Sequence, residues 1–93
     1  MVRTCNTMFF VYILESTMNG RWYIGSTSDI KKRLEKHNQG GVKSTKPYKP
    51  YKLIYKEEHD SKEKAVKREY QIKRSGIIRK TIKNQIKKYG PIV

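Results

Sequence analysis

Apolar residues fall in short runs whose spacing changes along the chain, and each change marks an element. Phe9-Phe10-Val11-Tyr12-Ile13-Leu14 is apolar at every position. Such a run suits a central strand covered on both faces. Asn19-Gly20 tolerates positive φ and predicts a tight hairpin, with Trp22-Tyr23-Ile24-Gly25-Ser26-Thr27 as the return strand. With Asn19-Gly20 as the central pair of the loop, Ser16 faces Tyr23. Ser16, Leu14 and Tyr12 share a face by the two-residue period, so Tyr12 and Tyr23 point to the same side of the sheet. Gly25, inside the second strand, marks either the close approach of a ligand or backbone, or a bulge or helix contact.

The period then lengthens. Ser28-Asp29 are capping residues, and a helix is expected from there to about Asn38, before Gly40-Gly41. Ile30 and Leu34 form its core stripe. His37 lies about 20° and Arg33 about 60° from Ile30 around the helix, which turns both toward the sheet. Lys31, Lys32, Glu35 and Lys36 fall on the solvated side. A loop from Asn38 to Pro50 carries Lys43, Lys46 and Lys49 with Ser44, Thr45 and Tyr48, and is read as a contact for nucleic acid. Tyr51 to Glu57 is a third strand.

Asp60 with Glu63 resembles a capping box at the start of a second helix. Its apolar stripe holds Ala65 and Ile72, with Glu69 about 40° from Ala65. A carboxylate in such a stripe needs a cation or a hydrogen-bond donor. It is either one half of a salt bridge, to Arg33 or a lysine, or a metal ligand. Gly76 is expected to break the helix, and Ile78, Ile82 and Ile86 align on a third running to about Tyr89. The order strand, strand, helix, strand, helix, helix predicts an α+β domain: a three-stranded antiparallel sheet flanked by about three helices. Residues 1–7 are read as a flexible tail and 8–93 as a single domain.

Charge narrows the partner. The 93 residues hold 22 Lys+Arg against 8 Asp+Glu, a net charge of +14. So large an excess repels itself and calls for a polyanion. Eleven of the basic residues, against two acidic ones, lie between Lys62 and Lys88. No stretch is apolar enough for a membrane anchor, and the seven-residue run Met8 to Leu14 is too short to span one. The single cysteine, Cys5, excludes an internal disulfide and a cysteine-based zinc cluster, and fits a cytoplasmic location.

Taken together, these residues resemble the GIY-YIG endonuclease domain family, in particular its small stand-alone bacterial type. Phe10-Val11-Tyr12 stands at the first signature and Tyr23-Ile24-Gly25 is the second intact. Arg33 and His37 occupy the helix motif and Glu69 matches the acidic position of the second helix. The likeness runs from about Phe9 to Lys88. The first signature departs from the pattern, with Phe10 where the family has glycine. Asn84, nearest to a C-terminal asparagine found in many members, lies about 200° around the helix from Ile82, so no role is carried to it.

The resemblance implies a metal-dependent endonuclease that hydrolyses phosphodiester bonds in DNA, with repair or processing of branched structures as an expected setting. Its implied catalytic residues are Tyr12, Tyr23, Arg33, His37 and Glu69. Glu69 would hold Mg2+ or Mn2+, Arg33 would face the oxyanion, and Tyr12 would activate or orient water with nearby cations favouring its phenolate. His37 would take that proton or hold the hydroxyl, and Tyr23 would position the phosphate or the water. Ser26, Thr27, Lys43, Lys46 and Lys49 are the candidate nucleic-acid contacts, and a protein partner would supply target choice. Two other readings stand beside it. One is a non-catalytic nucleic-acid-binding module, with Tyr48 and Tyr51 stacking on bases. The other is a small basic accessory protein docked on a nucleoprotein.

Overall fold

The computed structural model describes residues 8–43 and 46–93. The expected tail, Cys5, Ser44 and Thr45 lie outside these. Three strands, β1 (Phe9–Ser16), β2 (Trp22–Thr27) and β3 (Tyr51–His59), form an antiparallel sheet in the order β2-β1-β3. The helices are α1 (Ile30–Asn38), α2 (Lys62–Arg74) and α3 (Gly76–Tyr89). The α+β expectation holds, and β1 is central because its unbroken apolar run feeds a core on each face. Val11 and Ile13 point into one core with Ile24, Ile54, Ala65, Ile72 and Ile82, under α2 and α3. Tyr12 and Leu14 point into the other with Tyr51, against Ile30 and Leu34 of α1.

The hairpin register differs from expectation by two residues. Leu14, not Ser16, faces Tyr23, and Tyr12 faces Gly25. The Ser16 hydroxyl accepts from the backbone N–H of Met18 (3.0 Å) and of Asn19 (3.3 Å), and closes a longer turn. Only Gly20 there takes positive φ (75°), so the two-residue turn, which needs it at both central positions, does not form. A two-residue shift preserves the face, and Tyr12 and Tyr23 do share one side. The irregularity expected as one option at Gly25 falls elsewhere: Ile13 pairs with Tyr55 but Leu14 with Leu53, leaving Ile54 as the extra residue of a β-bulge in β3.

Two caps differ in detail. Ser61, rather than Asp60, caps α2 by accepting from Lys64 N at 3.2 Å, while Asp60 pairs with Lys64 at 3.0 Å. Ser75 makes the break, accepting from Ile78 N at 3.1 Å as the N-cap of α3, and Gly76 is already helical. The far end of α1 is tied to β3 by Asn38: its amide accepts from Tyr51 N at 2.6 Å and donates to Tyr51 O at 3.1 Å. This two-point clasp fixes the turn of α1 that carries His37. The outer edge of β3 is covered by Ile92, whose backbone accepts from Lys56 N and donates to Ile54 O, both at 2.9 Å. Among the described residues, no strand pairs with the outer edge of β2.

Candidate active site

The α1 face brings four of the five expected catalytic side chains together. Asp29 caps the helix by accepting from Lys32 N at 3.1 Å, and this fixes where its first turns point. Arg33, one turn in, donates from Nε to the Tyr12 hydroxyl at 3.4 Å. His37, one turn further, is completely buried. Its ring lies 4.5 Å from that of Tyr23, 6.0 Å from Tyr51 and 6.4 Å from Tyr12, centroid to centroid. The two tyrosine rings are 6.3 Å apart. His37 thus contacts both phenol rings, that of Tyr23 more closely than that of Tyr12.

Burial decides the protonation states. Tyr12 is fully shielded, and burial pushes its phenol above the usual range. The hydrogen bond and charge of Arg33 pull the other way without overcoming it. Arg33 thus favours the phenolate as expected, but burial outweighs it and the phenol stays protonated. Burial, aided by the charges of Arg33 and Lys36, pushes His37 below its ordinary value, so its ring is neutral at pH 7.

That depressed value makes a prediction about stability. Below about pH 6.5 the unfolded chain protonates this histidine while the folded one resists, so the unfolded state binds more protons and stability falls as pH drops. The thermal midpoint is expected to decline between pH 7 and 5.5, and His37→Gln is expected to flatten that slope. A midpoint equally pH-dependent in both proteins would remove His37 as the cause.

Gly25 explains the position of Tyr12. A Cβ placed on Gly25 would lie 2.6 Å from the Tyr12 hydroxyl and 2.8 Å from its Cζ. The close approach that this glycine permits is therefore made by the phenol itself, which crosses the backbone of β2 toward the sheet edge. Glu69 reaches the same edge from the other face. It sits on α2, and its Oε1 accepts from the Ser26 hydroxyl at 2.8 Å. Its charge contributes to the upward shift of Tyr12. The Tyr12 phenol against Gly25 and the Glu69 carboxylate on Ser26 thus reach neighbouring residues of the edge strand from opposite layers. Glu69 also pairs through Oε2 with Lys73 at 2.6 Å, the lysine partner that a carboxylate in an apolar stripe requires. Lys73 was not among the expected site residues, although the four-residue spacing is a legible signal for the pair.

The expected nucleic-acid contacts divide between the two ends of β2. Ser26 is committed to Glu69, and Thr27 accepts from Asp29 N at 3.1 Å in the turn entering α1. Lys43, Lys46 and Lys49 are exposed in the loop after α1. That loop is pinned to the hairpin end, where Ser16 donates to Tyr48 O at 2.6 Å and Thr17 N to Pro50 O at 2.9 Å. About 17 Å of strand separates the two groups, five residues at roughly 3.4 Å each. Tyr51, expected to stack on bases, is 95% buried (5% exposed) in the α1-side core and is not available for that role. Tyr48 is half-buried beneath Arg21, whose guanidinium carbon lies 4.9 Å from the ring centre. Asn84 is exposed, as expected.

A small α+β domain with two phenols, a guanidinium and a carboxylate gathered around one edge strand defines a nuclease-type catalytic domain. The chain belongs to the GIY-YIG family: residues 8–76 match the model of the GIY-YIG catalytic domain. It is 46% identical over 65 residues to UPF0213 proteins of Staphylococcus aureus strains Mu3 and USA300, covering 69% of this chain and 78% of each relative. The solution NMR structure of a UPF0213 protein from Bacillus halodurans superposes with a TM-score of 0.52 at 34% identity, covering 89% of this chain and 86% of the other. These relatives are small bacterial proteins of the expected stand-alone type. Among the described residues, no helix is long and apolar enough to cross a membrane.

Proposed function

We propose that the protein is a metal-dependent endonuclease that hydrolyses phosphodiester bonds in DNA, with cleavage at the β2 edge. The observation that carries this reading is the convergence of Tyr12, held by Arg33, and of Glu69, held by Ser26, on adjacent residues of β2 from α1, β1 and α2. Packing does not require three such groups to converge, whereas stabilising a pentavalent phosphate does.

The donor set at Glu69 fits a hard divalent ion. Among the described residues no group of three or more His, Cys, Asp or Glu gathers anywhere, which disfavours a cage built by the protein. Mg2+ is commonly held by one or two carboxylates, with water and substrate phosphate completing the shell. Glu69 would be the carboxylate that holds it. Bound there, Mg2+ or Mn2+ would polarise the phosphate and stabilise the leaving oxygen.

The chain's own groups do the remainder. An incoming phosphate draws the Arg33 guanidinium onto its oxygens, where a fixed planar fork matches the developing charge. That movement releases the Tyr12 hydroxyl, which then orients the attacking water. Because Tyr12 is protonated beforehand, its action as a base depends on added positive charge at the loaded site. Tyr23 positions the phosphate, and the neutral His37 ring beside it holds that phenol in place.

The test is incubation of supercoiled plasmid and of flapped or branched DNA, with RNA in parallel, in the presence of Mg2+ or Mn2+. Metal-dependent nicking is expected. Arg33→Ala is expected to lower the cleavage rate by roughly 10²–10³-fold, the scale of losing one donor to an oxyanion. Its affinity for the same DNA is expected to stay within a few-fold of the parent. Loss of affinity with unchanged turnover would contradict the role given to Arg33. Tight binding without cleavage under any divalent ion would leave a nucleic-acid-binding module.

A further inference from the structure

Three hollows lie along β2 on the side covered by α2 and α3. The first, about 430 Å³, lies at the hairpin end between Arg21 and Trp22 and the α3 residues Arg79, Lys80 and Lys83. The second, about 380 Å³, lies between Trp22, Tyr23 and Ile24 and the pair Lys73 and Arg79. The third, about 250 Å³, lies at the far end of the strand between Phe9, Ser26, Thr27 and Ser28 and the α2 residues Lys62 and Ala65. Trp22 and Arg79 border both of the first two, so these form one groove. Tyr23 lines the second hollow and Ser26, which holds Glu69, lines the third. Of the site residues, Tyr23 and Ser26, the partner of Glu69, lie on this path, whereas Tyr12, Arg33 and His37 line none of the three hollows.

The groove is basic and its central cation is fixed. Arg79 donates from Nη1 to Ile72 O at 2.9 Å and also to Lys73 O, which holds it across the end of α2. Lys83 sits over the Trp22 ring at 5.3 Å, so its ammonium stays on the groove wall. Arg21 to Ser28 spans about 24 Å of extended chain, seven residues at roughly 3.4 Å. The opposite sheet edge offers no such path, because Ile92 occupies it.

We infer that the nucleic-acid backbone follows β2 on the side of α2 and α3, anchored toward the hairpin by Arg79, Lys80 and Lys83 of α3, with the cut beside Glu69 farther along. The placement of the cut rests on the nuclease reading, whereas the contact with α3 stands without it. The expected lysine loop lies on the other face of the hairpin and is not the principal anchor. The test is fluorescence anisotropy of the full chain with a labelled DNA duplex, without divalent ions, from 50 to 200 mM salt. Two double variants are compared, Lys80→Gln with Lys83→Gln, and Lys43→Gln with Lys46→Gln. All four positions are exposed. Equal thermal midpoints confirm that both double variants are folded. The α3 variant is expected to make the slope of log affinity against log salt shallower by about 1.8, two phosphate contacts at roughly 0.9 each. The loop variant is expected to change it by less than one contact. An α3 variant whose slope moves by less than one contact overturns the proposal, whatever the loop variant does. Because nothing is cleaved in this experiment, its failure leaves the nuclease reading untouched, and a failure of plasmid nicking leaves this result standing.

Discussion

Replacing Glu69 by glutamine is expected to reduce cleavage by at least ~10³-fold, about 4 kcal/mol of lost transition-state stabilisation, while DNA is bound as tightly as before or more tightly. The two effects separate because of what surrounds the carboxylate. Its Oε1 accepts from Ser26 and its Oε2 from Lys73. Glutamine keeps an acceptor for Ser26, so the link between α2 and β2 survives. What disappears is the negative charge, and with it the carboxylate proposed to hold a hard cation. Lys73 loses its partner and adds a free positive charge to the basic groove that it borders. Lower rate with undiminished affinity is the pattern of a group acting in the transition state. Cleavage by Glu69→Gln at the parental rate would place the cutting in a contaminant or at another site. Equal loss of binding and rate would make Glu69 a structural residue.

How much was legible in the sequence follows from the kind of interaction each residue makes. The two cores were readable because periodicity reports burial directly: β1 is apolar at alternate and intervening positions, and it is the strand with a core on both faces. Arg33 and His37 were readable for the same reason, as helical phase placed them beside Ile30. The shared face of Tyr12 and Tyr23 survived an incorrect register because an error of two residues leaves strand parity intact. The turn itself was not readable from Asn19-Gly20, since the competing interaction is the Ser16 hydroxyl capturing two backbone N–H groups. The protonation of Tyr12 was not readable either. Sequence displays the cations nearby but not how completely the phenol is buried, and burial is the larger effect. Glu69 and Tyr12 reach neighbouring residues of β2 from opposite layers, and no pattern within one element encodes that. The family resemblance supplied the pairing, and the edge position of β2 supplies its physical reason.

Gly25→Ala is expected to destabilise the fold by about 1–3 kcal/mol, the range for forcing a methyl group into a filled site, and to lower cleavage by roughly 10²-fold, the scale of misplacing a reacting group by about 1 Å. The backbone at Gly25 is not in the left-handed region, so alanine meets no conformational penalty there. The cost comes from the new Cβ, which would meet the Tyr12 hydroxyl at 2.6 Å, Cζ at 2.8 Å and Cε2 at 3.2 Å. A surface side chain would swing aside at little cost. Tyr12 has no such freedom, because its ring is wholly buried between β1 and α1 and its oxygen is held by Arg33. Displacing it also breaks the arrangement of Arg33 that an incoming phosphate would use. The cause can be isolated by a double-mutant cycle on stability. In a Tyr12→Phe background the closest of the three contacts is gone, and in Tyr12→Leu all three are. The cost of Gly25→Ala is expected to shrink in the first and to fall close to zero in the second. An undiminished cost in the Tyr12→Leu protein would mean that the glycine is required by something other than the phenol that crosses it.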